Sequence, residues 1–159
     1  MKGEISKMNA QTLYEKDFYQ WTQQTAQAIR QNKFHEIDIH HLAEEIESMG
    51  ASERSQLENR LAVLIAHLLK YHYLAQWRVE NGRGWEATIK EQRHKLKRLL
   101  KHNPSLKPYL NTLFTEEDIY RDGYLKAIAE TNLNYDAFPE QCPYSLEQMM
   151  DETFFPINK

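Results

Sequence analysis

Residues 57–73 read LENRLAVLIAHLLKYHY, and the run 61–69 inside them, LAVLIAHLL, decides the fold. At helical spacing Leu57, Leu61, Leu64, Ile65, Leu68, Tyr71, His72 and Ala75 share one face, while Ala62, Ala66, Leu69 and Tyr73 share a second. A helix that is apolar around most of its circumference belongs at the buried centre of a bundle. The run is too short to span a bilayer and carries a histidine, so a membrane helix is excluded there.

Working outward, Ser52 is a candidate N-cap for this long helix, which is expected to reach about Val79. Upstream, Leu13, Asp17/Phe18, Trp21, Thr25 and Ala28/Ile29 recur at helical spacing and predict a first helix to about Arg30. Asp38 is placed to cap a second helix whose stripe is Ile39, Leu42, Ile46 and Met49, with Gly50 as its C-cap or a kink. Downstream, Glu80-Asn81-Gly82-Arg83-Gly84 is the strongest break signal in the chain. A fourth helix then buries Trp85, Ile89, Leu96, Leu99 and Leu100, and Asn103-Pro104 ends it. A short helical piece over residues 106–114 leads to Thr115, read as the cap of a fifth helix to about Thr131 that buries Tyr120, Tyr124, Ala127 and Ile128. Ser145 caps a last helical turn after the FPEQCPYS loop. The expected fold is all-α: a compact up-down bundle of about five main helices, with residues 1–11 as a flexible leader and residues 12–159 as a single domain.

Composition agrees. With 41% hydrophobic and 27% charged residues the chain can build a core, and with only five Gly and five Pro it cannot supply the turns of a sandwich or barrel. A net charge of −3 argues against nucleic-acid binding by bulk charge. The N-terminal residues lack an apolar signal region, so a cytoplasmic location is expected. Cys142 is the single cysteine and sits in a QCPY loop without a nearby histidine, which gives it no partner for redox or nucleophilic chemistry.

Chemistry is hinted at in residues 38–49, DIHHLAEEIESM. His40 precedes Glu44, and His41 precedes Glu45, each by one helical turn, the spacing at which imidazole and carboxylate could share a metal. The two pairs point in different directions, so they cannot both line one site. If the helix held a metal, His41 and Glu45 would be its ligands, and the expectation is no metal and no cofactor. His67, within the most apolar run, requires a hydrogen-bond partner, and Arg93 at the edge of the fourth helix's stripe requires a carboxylate. Glu45, with Glu44 beside it, is the candidate partner for either. Glu44, Glu45, His67 and Arg93 therefore form a candidate polar cluster, read first as a structural brace and second as a small interhelical pocket.

Residues 90–101, KEQRHKLKRLLK, carry six Lys or Arg and one Glu. They lack interleaved aromatic platforms for bases, which leaves a solvated basic face, with nucleic-acid binding as the lesser alternative. No Gly-rich phosphate loop, GxSxG, HExxH or CxxC is present, so the familiar catalytic templates have no foothold.

Taken in order, Tyr14, Asp17-Phe18, Trp21, Leu42-Ala43-Glu44-Glu45-Ile46-Glu47, Met49-Gly50 and His67-Leu68-Leu69-Lys70 form a pattern. It continues through Trp85, Thr88-Ile89, Arg93, Pro104-Ser105-Leu106, Glu130-Thr131, Phe138-Pro139 and Cys142-Pro143-Tyr144. This pattern resembles the bacterial family called domain-of-unknown-function family 29, over residues 12 to 156. The resemblance implies a helical bacterial protein and supplies no activity. Where members of that family often have Trp-Gln after LLK, this chain has Tyr71-His72. The expected role is a non-catalytic interaction or regulatory protein with a protein partner, or a homodimer in which the acidic second helix meets the basic fourth. The alternative is an enzyme or a ligand- or metal-binding protein using the Glu/His/Arg pocket.

Overall fold

A computed structural model describes residues 13–116 and 118–157; the expected leader over 1–11 lies outside them. The fold is all-α, with no strand among the described residues. The helices are α1 (Phe18–Arg30), α2 (Ile39–Tyr73), α3 (Ala75–His102), α4 (Leu106–Thr115), α5 (Ile119–Thr131) and α6 (Leu146–Met150), with one 3-10 turn at Phe34–Glu36. The chain divides into two compact units, Met1–Ser52 and Glu53–Lys159, with the boundary inside α2.

In the first unit, Asp17 caps α1 by accepting from the Gln20 amide, and the helix buries Trp21, Thr25 and Ala28. Asp38 caps α2 by accepting from the His41 amide at 3.2 Å. The helix does not stop at Gly50, nor does Ser52 begin a new one: the two expected helices are one element of 35 residues. One glycine costs a helix only about 1 kcal/mol, and no residue here takes the left-handed conformation that a glycine C-cap uses.

The second unit has the expected core. Leu57, Leu61, Leu64, Ile65, Leu68 and Leu69 of α2 have no exposed surface and pack with Ile89 and Leu96 of α3, Leu110 and Leu113 of α4, and Tyr124 and Ala127 of α5. The helix α5 approaches α2 closely enough that a Cβ on Gly123 would lie 2.5 Å from Ile65 Cβ. The break between α2 and α3 falls at the buried Leu74, not at residues 80–84. There the Arg78 guanidinium donates to Tyr71 O at 2.8 Å, satisfying a carbonyl that the ended helix leaves over. Residues 80–84 stay helical, with Gly82 buried against the Arg78 side chain and Asn81 donating to Trp77 O; two glycines cost about 1 kcal/mol each, too little to end the helix.

Thr115 belongs to α4 and donates to Asn111 O, while Asp118 caps α5. Ser145 caps α6 in a reciprocal capping box with Gln148. The loop between α5 and α6 is tied down by two tyrosines: Tyr120 donates to Pro139 O at 2.5 Å, and Tyr144 donates to Leu68 O at 3.2 Å. Cys142, half-buried in that loop, donates to Tyr144 O, and burial pushes its thiol pKa up, away from thiolate reactivity.

Candidate functional site

The polar groups expected to converge take separate partners. Glu45, half-buried on α2, accepts a 2.5 Å hydrogen bond from the Tyr14 hydroxyl, and that bond raises the tyrosine pKa to about 12. Tyr14 also stacks on the His41 ring at 4.0 Å and meets Trp21 edge-on at 4.9 Å. His41 turns its Nδ1 to Asp38, 2.6 Å away, rather than to Glu45. The Asp38 hydrogen bond raises the imidazole pKa. Glu44 is exposed and meets His40 at 3.6 Å. Both metal candidates, His41 and Glu45, are thus engaged inside the first unit. Among the described residues no three His, Cys, Asp or Glu side chains gather as a metal group would require.

In the second unit His67 Nδ1 donates to Val63 O, one turn back on its own helix, at 2.9 Å. That fixes the neutral tautomer and turns the Nε2 lone pair toward the Lys70 ammonium, 3.3 Å away. Burial, then the Lys70 charge, lowers the His67 pKa. Lys70 is 5% exposed and reaches Glu130 of α5 at 2.5 Å, with the Trp85 ring of α3 5.7 Å from its nitrogen. Lys126 approaches the other Glu130 oxygen at 3.6 Å. Burial opposes the Glu130 charge, but the Lys70 hydrogen bond and charge outweigh it and hold the carboxyl below its usual range. Lys70 and Glu130 were absent from the expected cluster. The signal for Lys70 was available: a lysine one turn after His67 on a buried face requires a carboxylate.

Arg93 has no exposed surface, and its partners are not carboxylates. Its Nε donates to Met149 O and its Nη2 to Phe154 O, each at 2.7 Å, while the guanidinium lies 5.3 Å from the Phe155 ring centre. Met149 O is one of the carbonyls left over at the end of α6. Arg93 therefore holds the C-terminal segment against α3. Burial lowers its pKa, and the nearby Asp151 and Glu152 charges offset part of that. The basic run on α3 is also partly neutralised: Lys90 faces Glu86 at 3.9 Å, Lys95 pairs with Glu91, and Lys97 meets Glu152 at 2.6 Å.

The remaining feature is apolar. Ile39, Ile46 and Met49 lie on one face of α2 and are 65%, 60% and 69% exposed. Three of the four residues of the expected core stripe are open and Leu42 is half-buried, because the helix packs within the first unit through its His41 and Glu45 edge, where Tyr14 sits. Phe18, Tyr19, Ile29 and Phe34 of the same unit are also exposed.

The family model for the domain of unknown function DUF29 matches residues 13–155, which is nearly the whole chain. The chain belongs to the DUF29 family. No curated protein and no solved structure matches it. Among the pattern residues of this DUF29 chain, Tyr14 pairs with Glu45, Lys70 with Glu130, and Arg93 with the C-terminal carbonyls. Among the described residues, no helix is long and apolar enough to cross a membrane.

Proposed function

We propose that this DUF29 protein is a non-catalytic interaction or regulatory protein of the bacterial cytoplasm, and that its first unit carries the docking surface. The observation that carries the reading is the open stripe of Ile39, Ile46 and Met49. Large side chains grouped on one exposed helix face mark a protein contact, whereas single exposed ones need no explanation. The reading is supported by the partners that Glu45, His67 and Arg93 already take within the protein. A single cysteine allows no disulfide within the chain, which suits a reducing compartment.

A photoreactive amino acid placed at position 46, with Arg83 as an exposed control position in the second unit, tests the reading in living cells. A discrete adduct at 46 and none at 83 is expected. Absence of any adduct at 46 under conditions where the protein is folded overturns it.

A further inference from the structure

We infer that the stripe of Ile39, Ile46 and Met49 receives a basic amphipathic helix from a partner protein. The inference rests on the interaction reading above and specifies the partner's chemistry.

The shape of the stripe points to a helix. Its residues follow the helical repeat over residues 39–50, a length of about 16 Å at 1.5 Å per residue. That is a narrow ridge three turns long, matched by the groove of another helix and not by a flat surface. Beside the ridge lie two small exposed residues, Ala43 and Gly50. Gly123 is required where it stands, since a Cβ there would collide with Ile65, but a Cβ on Gly50 would meet nothing within 4 Å. Among the described residues, no contact explains a glycine in mid-helix at position 50. The close passage of a second helix explains it.

The charge of the stripe's surroundings chooses the kind of helix. From residue 34 to residue 52 there is no Lys or Arg, and five carboxylates occur: Glu36, Asp38, Glu44, Glu45 and Glu47. Glu47, exposed, stands about 100° around the helix from Ile46, so one flank of the ridge is openly acidic, while Glu45, about 100° on the other side, is held by Tyr14. A second copy presenting the same stripe would set these carboxylates against themselves, which costs affinity. A helix with an apolar stripe edged by Lys or Arg meets both features at once. The basic face of α3 does not qualify, because its exposed residues over 90–101 carry no apolar stripe.

The test uses two synthetic peptides of about 18 residues, long enough to hold a helix on binding. They share one leucine stripe; one is edged by lysines, the other by glutamates. Fluorescence anisotropy against the full chain is expected to show binding of the lysine peptide alone. Ile46→Asp is expected to weaken it by about tenfold or more. Raising salt from about 50 to about 500 mM should weaken it several-fold. Glu47→Lys should remove the preference for the lysine peptide. Ile46 is exposed, so its aspartate variant folds, which circular dichroism checks; Met49→Gln provides an independent loss at the same stripe.

Equal binding of both peptides, or no effect of Ile46→Asp, overturns the inference. A concentration-dependent dimer that Ile46→Asp abolishes also overturns it, because the occupant is then a second copy. If position 46 crosslinks in cells while the lysine peptide fails to bind, the charge inference falls and the interaction reading stands. If position 46 gives no adduct, the reading itself falls.

Discussion

The ammonium of Lys70 lies 2.5 Å from Glu130 Oε2, joining the buried heart of α2 to α5. Lys70 is nearly enclosed, whereas the Glu130 side chain is 35% exposed, so the two ends of the bridge differ in solvation. Glu130→Gln leaves the lysine charge without its anion and should cost about 2–3 kcal/mol, below the usual value for a broken buried pair because water reaches the glutamate. Lys70→Met with Glu130→Gln should recover most of that loss. Urea midpoints of the two variants decide the point; a double variant less stable than Glu130→Gln refutes the account.

Arg93 is a brace for the end of the chain. Arg93→Met removes the donors to the buried Met149 O and the part-buried Phe154 O, and the two carbonyls left without partners should cost about 2–4 kcal/mol. Arg93→Lys should recover little, since an ammonium lacks the planar fork that reaches both oxygens. Hydrogen exchange should show residues 146–157 losing protection first. Uniform loss across the second unit would instead place Arg93 in the global core.

Two glycines should respond to alanine in opposite directions. Gly123→Ala would force its Cβ into Ile65 and is expected to destabilise by about 1–3 kcal/mol despite the better helix propensity. Gly84→Ala adds a Cβ where nothing lies within 4 Å, in a helix, and should stabilise by up to about 1 kcal/mol. Thermal unfolding of the pair separates the effects, and a shift of the same sign in both would sink the packing argument.

The histidines predict opposite pH dependences. His41 is raised by its Asp38 hydrogen bond, so its contribution is full below the unfolded value near 6.5 and is lost as pH rises through the higher folded value. Asp38 is held below the carboxylate range by His41 against the cost of burial, so it stays ionised through that window. His67 is lowered by burial and then by Lys70, so its contribution is present above about 6.5 and fades as pH falls through the folded value. His41→Gln should therefore cost more stability at pH 5.5 than at pH 8. His67→Gln should cost more at pH 8 than at pH 5.5. Denaturant midpoints at both pH values check this, and matching profiles for the two variants would reject it.

The all-α fold was legible because the run 61–69 could only be a buried helix, and Leu57, Leu61, Leu64, Ile65, Leu68 and Leu69 are indeed the centre of the second unit. The Asp17, Asp38 and Ser145 side chains also cap helices, Asp38 and Ser145 where local chemistry placed them. Helix boundaries were less legible. Gly50 and residues 80–84 carry propensity costs of about 1 kcal/mol per glycine, too small to end helices of this length. Leu74 breaks the chain with no breaker residue, because its burial and the Arg78 cap on Tyr71 O are tertiary facts.

Which polar groups meet was decided by tertiary structure. Sequence spacing shows that His67 and Arg93 need partners, since buried polar groups must be satisfied, but a period of 3.6 residues holds no information about a neighbouring helix. His67 found its partners on its own helix, Val63 O and Lys70, whereas Glu130 of α5 met Lys70 and the C-terminal carbonyls met Arg93 from elsewhere in the chain. The same limit governs the stripe of Ile39, Ile46 and Met49. The sequence determined that this face is apolar, and only the three-dimensional packing, through Tyr14 on the polar edge, decided that it stays open.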